Sequence, residues 1–363
     1  MLMKEGETRI PAGCAISGFI NRSGRRTNGS VIVNSIACMH DRSNGLGGGY
    51  AGYGIYPEYK DQYAFHVFYD SNEARIKTEA FIDRHFDVIN LSRIPTRKPP
   101  NITDEPLIWR YFVNPLPTKL QESQLDERTY VARCVIKIND KIDGAYVFSS
   151  GKNMGVFKAV GYPEDVGEFY RLDEYDGWAW TVHGRYPTNT PGWWGGAHPF
   201  ALLDYTIVHN GEISSYDANR RFIEMFGYKC NLLTDTEVIT YIIDYLHRRL
   251  GMPLDDVAKV IAAPFWSELE SGRFSPEETA KILHFRNVYS SLLITGPFSI
   301  ILGFNNGIMA LNDRLKLRSM VAAEKGDTVY VSSEECSIRT MSPDVDRIWS
   351  PRGGEPIIVT LDK

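Results

Sequence analysis

The chain is long enough for one large domain or two ordinary ones, and its composition excludes several classes of protein. It has 363 residues, a formal net charge of −5 at pH 7 and 43% hydrophobic residues, which supply ample material for a core. No polybasic run indicates nucleic acid or an anionic membrane as a partner. No stretch approaches the ~18 consecutive apolar residues of a membrane-spanning helix.

The start of the chain and its cysteines point to a cytoplasmic protein. Residues 1–13 form a polar leader without the apolar segment of a secretory signal. Five widely spaced cysteines follow, none in a Cys-x-x-Cys motif: Cys14, Cys38, Cys134, Cys230 and Cys336. This pattern argues against a disulfide framework and a cysteine-rich zinc site, and it fits a reducing compartment.

The first 60 residues predict a strand, a helix and a glycine-rich loop. Residues 14–20 are a short apolar run typical of a buried strand, and apolar residues in 30–41 recur on one helical face. The loop at 45–52 contains Gly-x-Gly-x-x-Gly, but a dinucleotide-binding fingerprint needs a strand before it and a helix after it. Strand-like sequence follows here, so we interpret the loop as flexible backbone beside a site.

The middle of the chain is less regular. Residues 63–69 predict a strand, and the proline-rich segment 91–128 predicts a long irregular connection. We expect strands again at 129–138 and 144–149. An insertion is predicted at about 70–175.

The last third predicts one clear helix and several strands. Residues 235–250 have an apolar helical face, with a capping-box pattern at Thr234 and Glu237. Strands at both ends of the chain with helices between them suggest a layered α/β sandwich closed by both termini. The later strands are predicted at 298–304, 307–311, 319–323 and 328–332.

Cys14 is the most informative residue, because it opens the first predicted strand directly after the leader. If the leader is removed, the freed α-amine, with an unperturbed pKa of about 7.7–8.0, lies beside its own thiol. That amine can then serve as the general base for a cysteine nucleophile. The alternative is a small apolar cysteine packed in a buried strand.

Three downstream motifs carry candidate binding groups. Arg185 lies between a predicted strand and a turn with hydroxyl and amide side chains, and it suits bidentate binding of a carboxylate; the alternative is a surface arginine. Asn210-Gly211 either forms a hairpin turn or directs its side-chain amide and backbone N–H at a developing oxyanion. Asp235 either caps a helix or faces a substrate ammonium group.

A thiol, two oxyanion donors, a guanidinium and a carboxylate together describe a site for an α-amino acid that carries an amide, namely glutamine. The chain resembles the class II glutamine amidotransferases of the N-terminal-nucleophile hydrolase superfamily over residues 14–60 and 176–340. The resemblance rests on Cys14 and on the motifs Arg-Tyr-Pro-Thr (185–188), His-Asn-Gly-Glu-Ile (209–213) and Thr-Asp-Thr-Glu-Val (234–238) in that order.

The resemblance implies a fold and a set of site residues. It implies an α/β fold, a four-layer αββα sandwich of two stacked, mainly antiparallel sheets, in a domain spanning 14–363 once the leader 1–13 is removed. It implies no metal site. The implied catalytic residues are Cys14, Asn210 and Gly211, and the implied substrate-binding residues are Arg185, Thr188, Asn189 and Asp235.

The resemblance is closest to glutamate synthases, whose Arg-Phe-Ser-Thr-Asn-Thr run is similar to residues 185–190. It implies a free-standing amidotransferase subunit that binds L-glutamine and passes ammonia to a flavoprotein subunit. No cofactor is expected in this chain, whereas FMN and an iron–sulfur cluster are expected on that partner.

Three alternatives stay open at this point. One is a catalytically silent glutamine-sensing or scaffold subunit on the same fold. Another is an amidotransferase for a different acceptor, as in a methylglutamate synthase. The third is a zinc hydrolase that uses His183, His198 and His209, although their spacing matches no common zinc motif.

Overall fold

The computed structural model describes residues 13–186 and 192–362. Strands form both sheets of the central sandwich, a third sheet of four strands, and a short two-stranded sheet of β2 and β9. The strands are β1 (Ala15–Asn21), β2 (Thr27–Asn28), β3 (Gly48–Tyr53), β4 (Tyr63–Tyr69), β5 (Phe86–Arg93), β6 (Leu107–Pro115), β7 (Ala145–Ser149), β8 (Met154–Ala159), β9 (Asp176–Gly177), β10 (Ala179–Gly184), β11 (Phe200–Leu202), β12 (Tyr205–Gly211), β13 (Phe298–Phe304), β14 (Gly307–Asn312), β15 (Val321–Lys325), β16 (Thr328–Ser332), β17 (Arg347–Trp349) and β18 (Ile357–Thr360).

The helices cover the outer faces of these sheets. None of them, in the part of the chain that the structure describes, is long and apolar enough to cross a membrane. The helices are α1 (Ser30–Ala37), α2 (Asn72–His85), α3 (Pro117–Ser123), α4 (Glu127–Lys141), α5 (Pro163–Phe169), α6 (Tyr216–Glu224), α7 (Asp235–Ile243), α8 (Leu254–Ile261), α9 (Trp266–Glu270), α10 (Pro276–Val288) and α11 (Glu335–Met341).

Two antiparallel sheets stack face to face at the centre of the molecule. The larger has the strand order β17-β15-β16-β1-β10-β3-β8, and the smaller has the order β11-β12-β13-β14-β18. Helices α1, α5 and α11 pack on the outer face of the larger sheet, while α7 packs on β11 and β12 of the smaller one. The predicted four-layer αββα sandwich is therefore confirmed.

Strand β1 lies in the middle of the larger sheet and joins the two ends of the chain. It pairs antiparallel with β10 on one side and with β16 on the other. Ala15 lies opposite Gly184, the last residue of β10. Cys14 and Arg185, each one residue beyond these paired ends, consequently share one edge of the sheet.

A third sheet, with the order β5-β6-β4-β7, lies outside the two stacked sheets. Its elements follow one another as β4-α2-β5-β6-α4-β7, apart from the short α3, which is the split βαβ arrangement of ferredoxin-like folds. Helices α2 and α4 pack on this sheet through buried apolar residues. The chain then returns to the larger sheet at β8, and the bounds of the predicted insertion stay a prediction.

Two predictions for the middle of the chain are wrong. Segment 91–128 is not an irregular connection throughout, because it contains β6 and α3. Segment 129–138 is not a strand but lies within α4, where the Asp126 side chain accepts the Thr129 N–H and caps the helix. Its buried residues Val131, Val135 and Ile138 are spaced four and three apart, which is the helical period. The other strands and helices we predicted are confirmed to within a few residues.

The start of helix α7 matches its prediction only in part. The Thr234 hydroxyl accepts the Thr236 N–H and caps the helix, as predicted. Glu237 does not complete a capping box, because its carboxylate accepts the N–H of Leu232 instead. Residues 244–249 continue α7 as a π-helical turn, so the predicted helix at 235–250 is confirmed.

Candidate active site

A cavity of about 220 Å³ opens at the edge where β1, β10 and β12 lie close to the start of α7. The structure brings four of the predicted site residues to its wall: Cys14, Arg185, Gly211 and Asp235. Asn210 lies directly behind Gly211 and is fully buried. Thr188 and Asn189 lie outside the described residues. Cys14 therefore shares one small polar site with residues that lie more than 170 positions later in the sequence.

Both the sulfur and the carbonyl oxygen of Cys14 accept hydrogen bonds. The Tyr186 N–H donates to Cys14 Sγ at 3.3 Å. Arg42 Nη2 donates to the Cys14 carbonyl oxygen at 2.9 Å, and Arg42 Nη1 contacts Glu334 Oε1 at 2.6 Å. These bonds position the sulfur just before the first residue of β1.

Burial of Cys14 favours the neutral thiol. Burial raises the pKa of Cys14, although the Tyr186 N–H and the guanidinium groups of Arg185 and Arg318 act in the opposite direction. Since the thiolate is the nucleophilic form, this cysteine needs a base to react at neutral pH.

The glycine-rich loop makes room for Arg185. The Arg185 N–H donates to the Gly47 carbonyl at 2.9 Å. A Cβ at Gly47, where φ is +152°, would lie 2.9 Å from Arg185 Cδ. Residues 48–52 belong to strand β3, which pairs with β10 and β8, so the prediction of a flexible loop over 45–52 is wrong for these residues. A strand rather than a helix follows the glycines, which is not the context of a dinucleotide-binding fingerprint. Gly47 serves the close approach of the arginine side chain.

Asn210 and Gly211 do not form a hairpin turn. Both belong to β12 and pair with Ser299 and Phe298 of β13. A Cβ at Gly211, where φ is +143°, would lie 2.0 Å from the Pro297 carbonyl oxygen, which explains the glycine. The hairpin alternative is therefore wrong, and the pair ends a strand at the cavity.

The carboxamide of Asn210 lies in a polar row that the sequence analysis missed. Asn210, Ser299 and Asn312 are register partners on β12, β13 and β14, and all three are fully buried. Asn210 Nδ2 donates to Ser333 Oγ at 3.4 Å. Among the described residues, Asn210 Oδ1, Ser299 Oγ and both polar atoms of Asn312 have no hydrogen-bond partner. A polar residue within each of these three apolar strands is the sequence pattern that could have predicted the row.

Asp235 is held as a carboxylate at the start of α7. Its Oδ2 accepts the Ile213 N–H at 3.3 Å, and its Oδ1 lies 3.4 Å from His209 Nδ1. Burial raises the pKa of Asp235, but His209, the Thr236 hydroxyl and the Ile213 N–H outweigh burial and leave that pKa below its ordinary value. The cavity therefore presents a negative charge at neutral pH.

Three histidines line the same cavity and stack against one another. The His183 and His198 rings lie 4.0 Å apart, and the His209 ring is almost parallel to that of His198. Burial lowers the pKa of His183 to about 3 and also lowers that of His198, so both are neutral. Within residues 13–186 and 192–362, no three His, Cys, Asp or Glu side chains are placed to hold a metal ion. A zinc site needs ring nitrogens that point at one common position, whereas these rings lie face to face.

The central αββα sandwich thus carries Cys14 at the start of its strand β1, beside the cavity. Residues 62–243 match the family model of the class-II glutamine amidotransferases. This match covers half of the chain and contains Arg185, Asn210, Gly211 and Asp235. The chain belongs to the class-II glutamine amidotransferases.

Sequence and structure comparisons find similar proteins of different lengths. An uncharacterized protein of Archaeoglobus fulgidus is 50% identical over 96% of this chain and 92% of its own length. The amidophosphoribosyltransferase of Methanocaldococcus jannaschii is 26% identical over 59% of this chain and 41% of its own length. The solved glutamine phosphoribosylpyrophosphate amidotransferase of B. subtilis aligns over 96% of this chain and 47% of its own, with a TM-score of 0.49 and 13% identity. The chain thus spans less than half the length of these two transferases.

Proposed function

We propose that this protein hydrolyses L-glutamine at Cys14 and supplies the ammonia to a synthase partner. The observation that carries the proposal is the convergence of Cys14, Arg185, Gly211 and Asp235 on one cavity. Arg185 and Asp235 offer opposite charges, which match the carboxylate and ammonium groups of an α-amino acid. To Thr188 and Asn189, which follow Arg185 in the sequence, we assign support of the same carboxylate.

The reaction follows from the groups around the sulfur. The free α-amine of Cys14 takes the thiol proton, and the thiolate attacks the carboxamide carbon of glutamine. Asn210 Nδ2 and the Gly211 N–H donate to the resulting oxyanion. The amine returns the proton to the leaving nitrogen, and ammonia departs from a γ-glutamyl thioester. Water then hydrolyses the thioester to glutamate, and the thiol is restored.

The proposal requires that the Gly13–Cys14 bond be cut, because only a free amine can act as this base. We expect active protein to have the mass of residues 14–363 and a Cys14 N-terminus. Its rate of ammonia release should rise with pH through about 7.7–8.0, as the amine loses its proton. Intact mass and a pH profile measure both. Full activity with the leader attached contradicts the mechanism, and a permanently attached leader without activity supports the sensing alternative.

Arg185→Lys should mainly weaken glutamine binding. A lysine keeps the charge but loses the two-pronged geometry, so we expect KM to rise by about 10- to 100-fold with little change in kcat. Steady-state ammonia release measures both constants. Arg249→Lys, on the surface beside Phe226, is a matched control that should leave KM unchanged. A fall in kcat at unchanged KM would assign Arg185 a different role.

For the acceptor of ammonia we propose a split glutamate synthase, in which a flavoprotein subunit with FMN and an iron–sulfur cluster aminates 2-oxoglutarate. The support is the Arg-Tyr-Pro-Thr-Asn-Thr run at 185–190. The alternative is a different carbonyl or amine acceptor, as in a methylglutamate synthase. Co-purification from the cytoplasmic fraction, with a flavin absorption spectrum of the captured partner, tests this. A partner without flavin contradicts it while leaving glutamine hydrolysis untouched.

A further inference from the structure

Two cysteines that are far apart in sequence meet at the surface. Cys38 caps the C-terminal end of α1, and Cys336 is the second residue of α11. Their sulfur atoms lie 3.7 Å apart although 298 positions separate the residues. Both residues are exposed and both thiols are free. Their wide spacing in the sequence argued against a disulfide, whereas the fold places them within reach of one another.

We propose that Cys38 and Cys336 form a reversible disulfide that links α1 to α11. Neither residue lines the cavity at Cys14, so this modification site is separate from the proposed hydrolysis.

The two helices brace the strand that follows Cys14. Ser35 of α1 donates to the Ser17 hydroxyl at 3.3 Å, and Ser337 of α11 donates to the same hydroxyl at 2.9 Å. Ser17 belongs to β1 and is fully buried. A covalent link between the helices therefore closes a clamp on the outer face of β1 and joins the first 40 residues of the chain to the last 30.

The other cysteines are not placed for this chemistry. Cys134 and Cys230 are buried in the apolar core, and burial raises the pKa of Cys134 to about 12. Cys14 faces the cavity and has the Tyr186 backbone as its neighbour. Since exchange needs an accessible thiolate, the surface pair is the expected site of oxidation.

The chemistry is a two-step exchange with a small-molecule disulfide as the oxidant. Burial, the Cys38 sulfur and the Glu334 carboxylate raise the pKa of Cys336. One cysteine of the pair loses its proton to water, and its thiolate attacks the oxidant, forms a mixed disulfide and releases one thiolate of the oxidant. The other cysteine then gives its proton to water and attacks the protein sulfur of the mixed disulfide, and the second thiolate of the oxidant leaves. Two protein thiols are oxidised and one disulfide is reduced to two thiols.

Oxidised glutathione and the full-length protein test the proposal. We expect the intact mass to fall by about 2 Da and two titratable thiols to disappear, with dithiothreitol restoring both. A peptide map should join the peptides that contain Cys38 and Cys336. Cys38→Ser and Cys336→Ser are matched controls. In each of them the mass should not fall by about 2 Da, and the remaining thiol should instead keep a glutathione adduct of about 300 Da.

The clamp has its own readout. Because the bond closes a long loop of the unfolded chain, the oxidised protein should melt at least about 5 °C higher than the reduced protein, with no such shift in either serine variant. Two glutathione adducts on the wild type, or no reaction at both thiols, overturns the disulfide. A disulfide without a rise in Tm overturns the clamp. Neither result depends on whether the protein hydrolyses glutamine.

Discussion

We expect Cys14→Ala to abolish the release of ammonia from glutamine, with a kcat lower by on the order of 10⁴-fold or more. The variant removes the sulfur and leaves the α-amine, the cavity and the two charged binding groups in place. Alanine fits the site, because the sulfur contacts only the Tyr186 backbone among its hydrogen-bond partners in the described residues. Binding of glutamine should therefore survive while turnover does not.

The measurement is steady-state ammonia release by protein that lacks the leader, together with glutamine binding by calorimetry. Cys38→Ala is the matched control, since it removes an exposed thiol outside the cavity and should keep the wild-type rate. Turnover by Cys14→Ala above a few per cent of the wild-type rate would falsify the nucleophile assignment. Loss of both binding and turnover with an unchanged melting temperature would point to a role in substrate binding instead.

Asn210→Ala should lower kcat by about 10²- to 10³-fold and leave KM almost unchanged, because an oxyanion donor acts mainly in the transition state. The Asn210 side chain is fully buried, and its Nδ2 donates to Ser333 Oγ at 3.4 Å. The Gly211 N–H remains as the second donor, so residual activity is expected.

Asn312→Ala separates this effect from a loss of packing. Asn312 is buried in the same polar row, two strands away from Asn210. Its removal should lower the melting temperature by an amount similar to that of Asn210→Ala and keep kcat near the wild-type value. Equal losses of kcat in the two variants would sink the oxyanion role and assign both residues to the stability of the sheet.

Short-range sequence patterns predicted most helices and strands. They failed where the same residues fit two kinds of local structure. Segment 129–138 contains apolar residues that fit an alternating strand, and only the placement of α4 against the third sheet selects the helical face with Val131, Val135 and Ile138. Asn210-Gly211 fits the hairpin signature, but strand pairing with β13 extends β12 through both residues. In each case packing against a distant segment outweighs the local preference.

The sequence by itself determined the candidate chemistry, because a nucleophile and its binding groups are residue types in a fixed order. Cys14, Arg185, Asn210 and Asp235 could be named from their motifs, and the layered α/β fold followed from the distribution of strands and helices. The family match confirms the class of protein, and the roles of these four residues stay predictions.

Only the tertiary structure decided which groups meet. The pairing of β1 with β10 and β16 brings Cys14 beside Arg185, and a buried glycine at position 47 admits the arginine side chain. The same pairing places α1 beside α11 and so brings the sulfur atoms of Cys38 and Cys336 to 3.7 Å from one another. Contacts between residues hundreds of positions apart depend on strand order and register, which the apolar pattern of one strand does not specify.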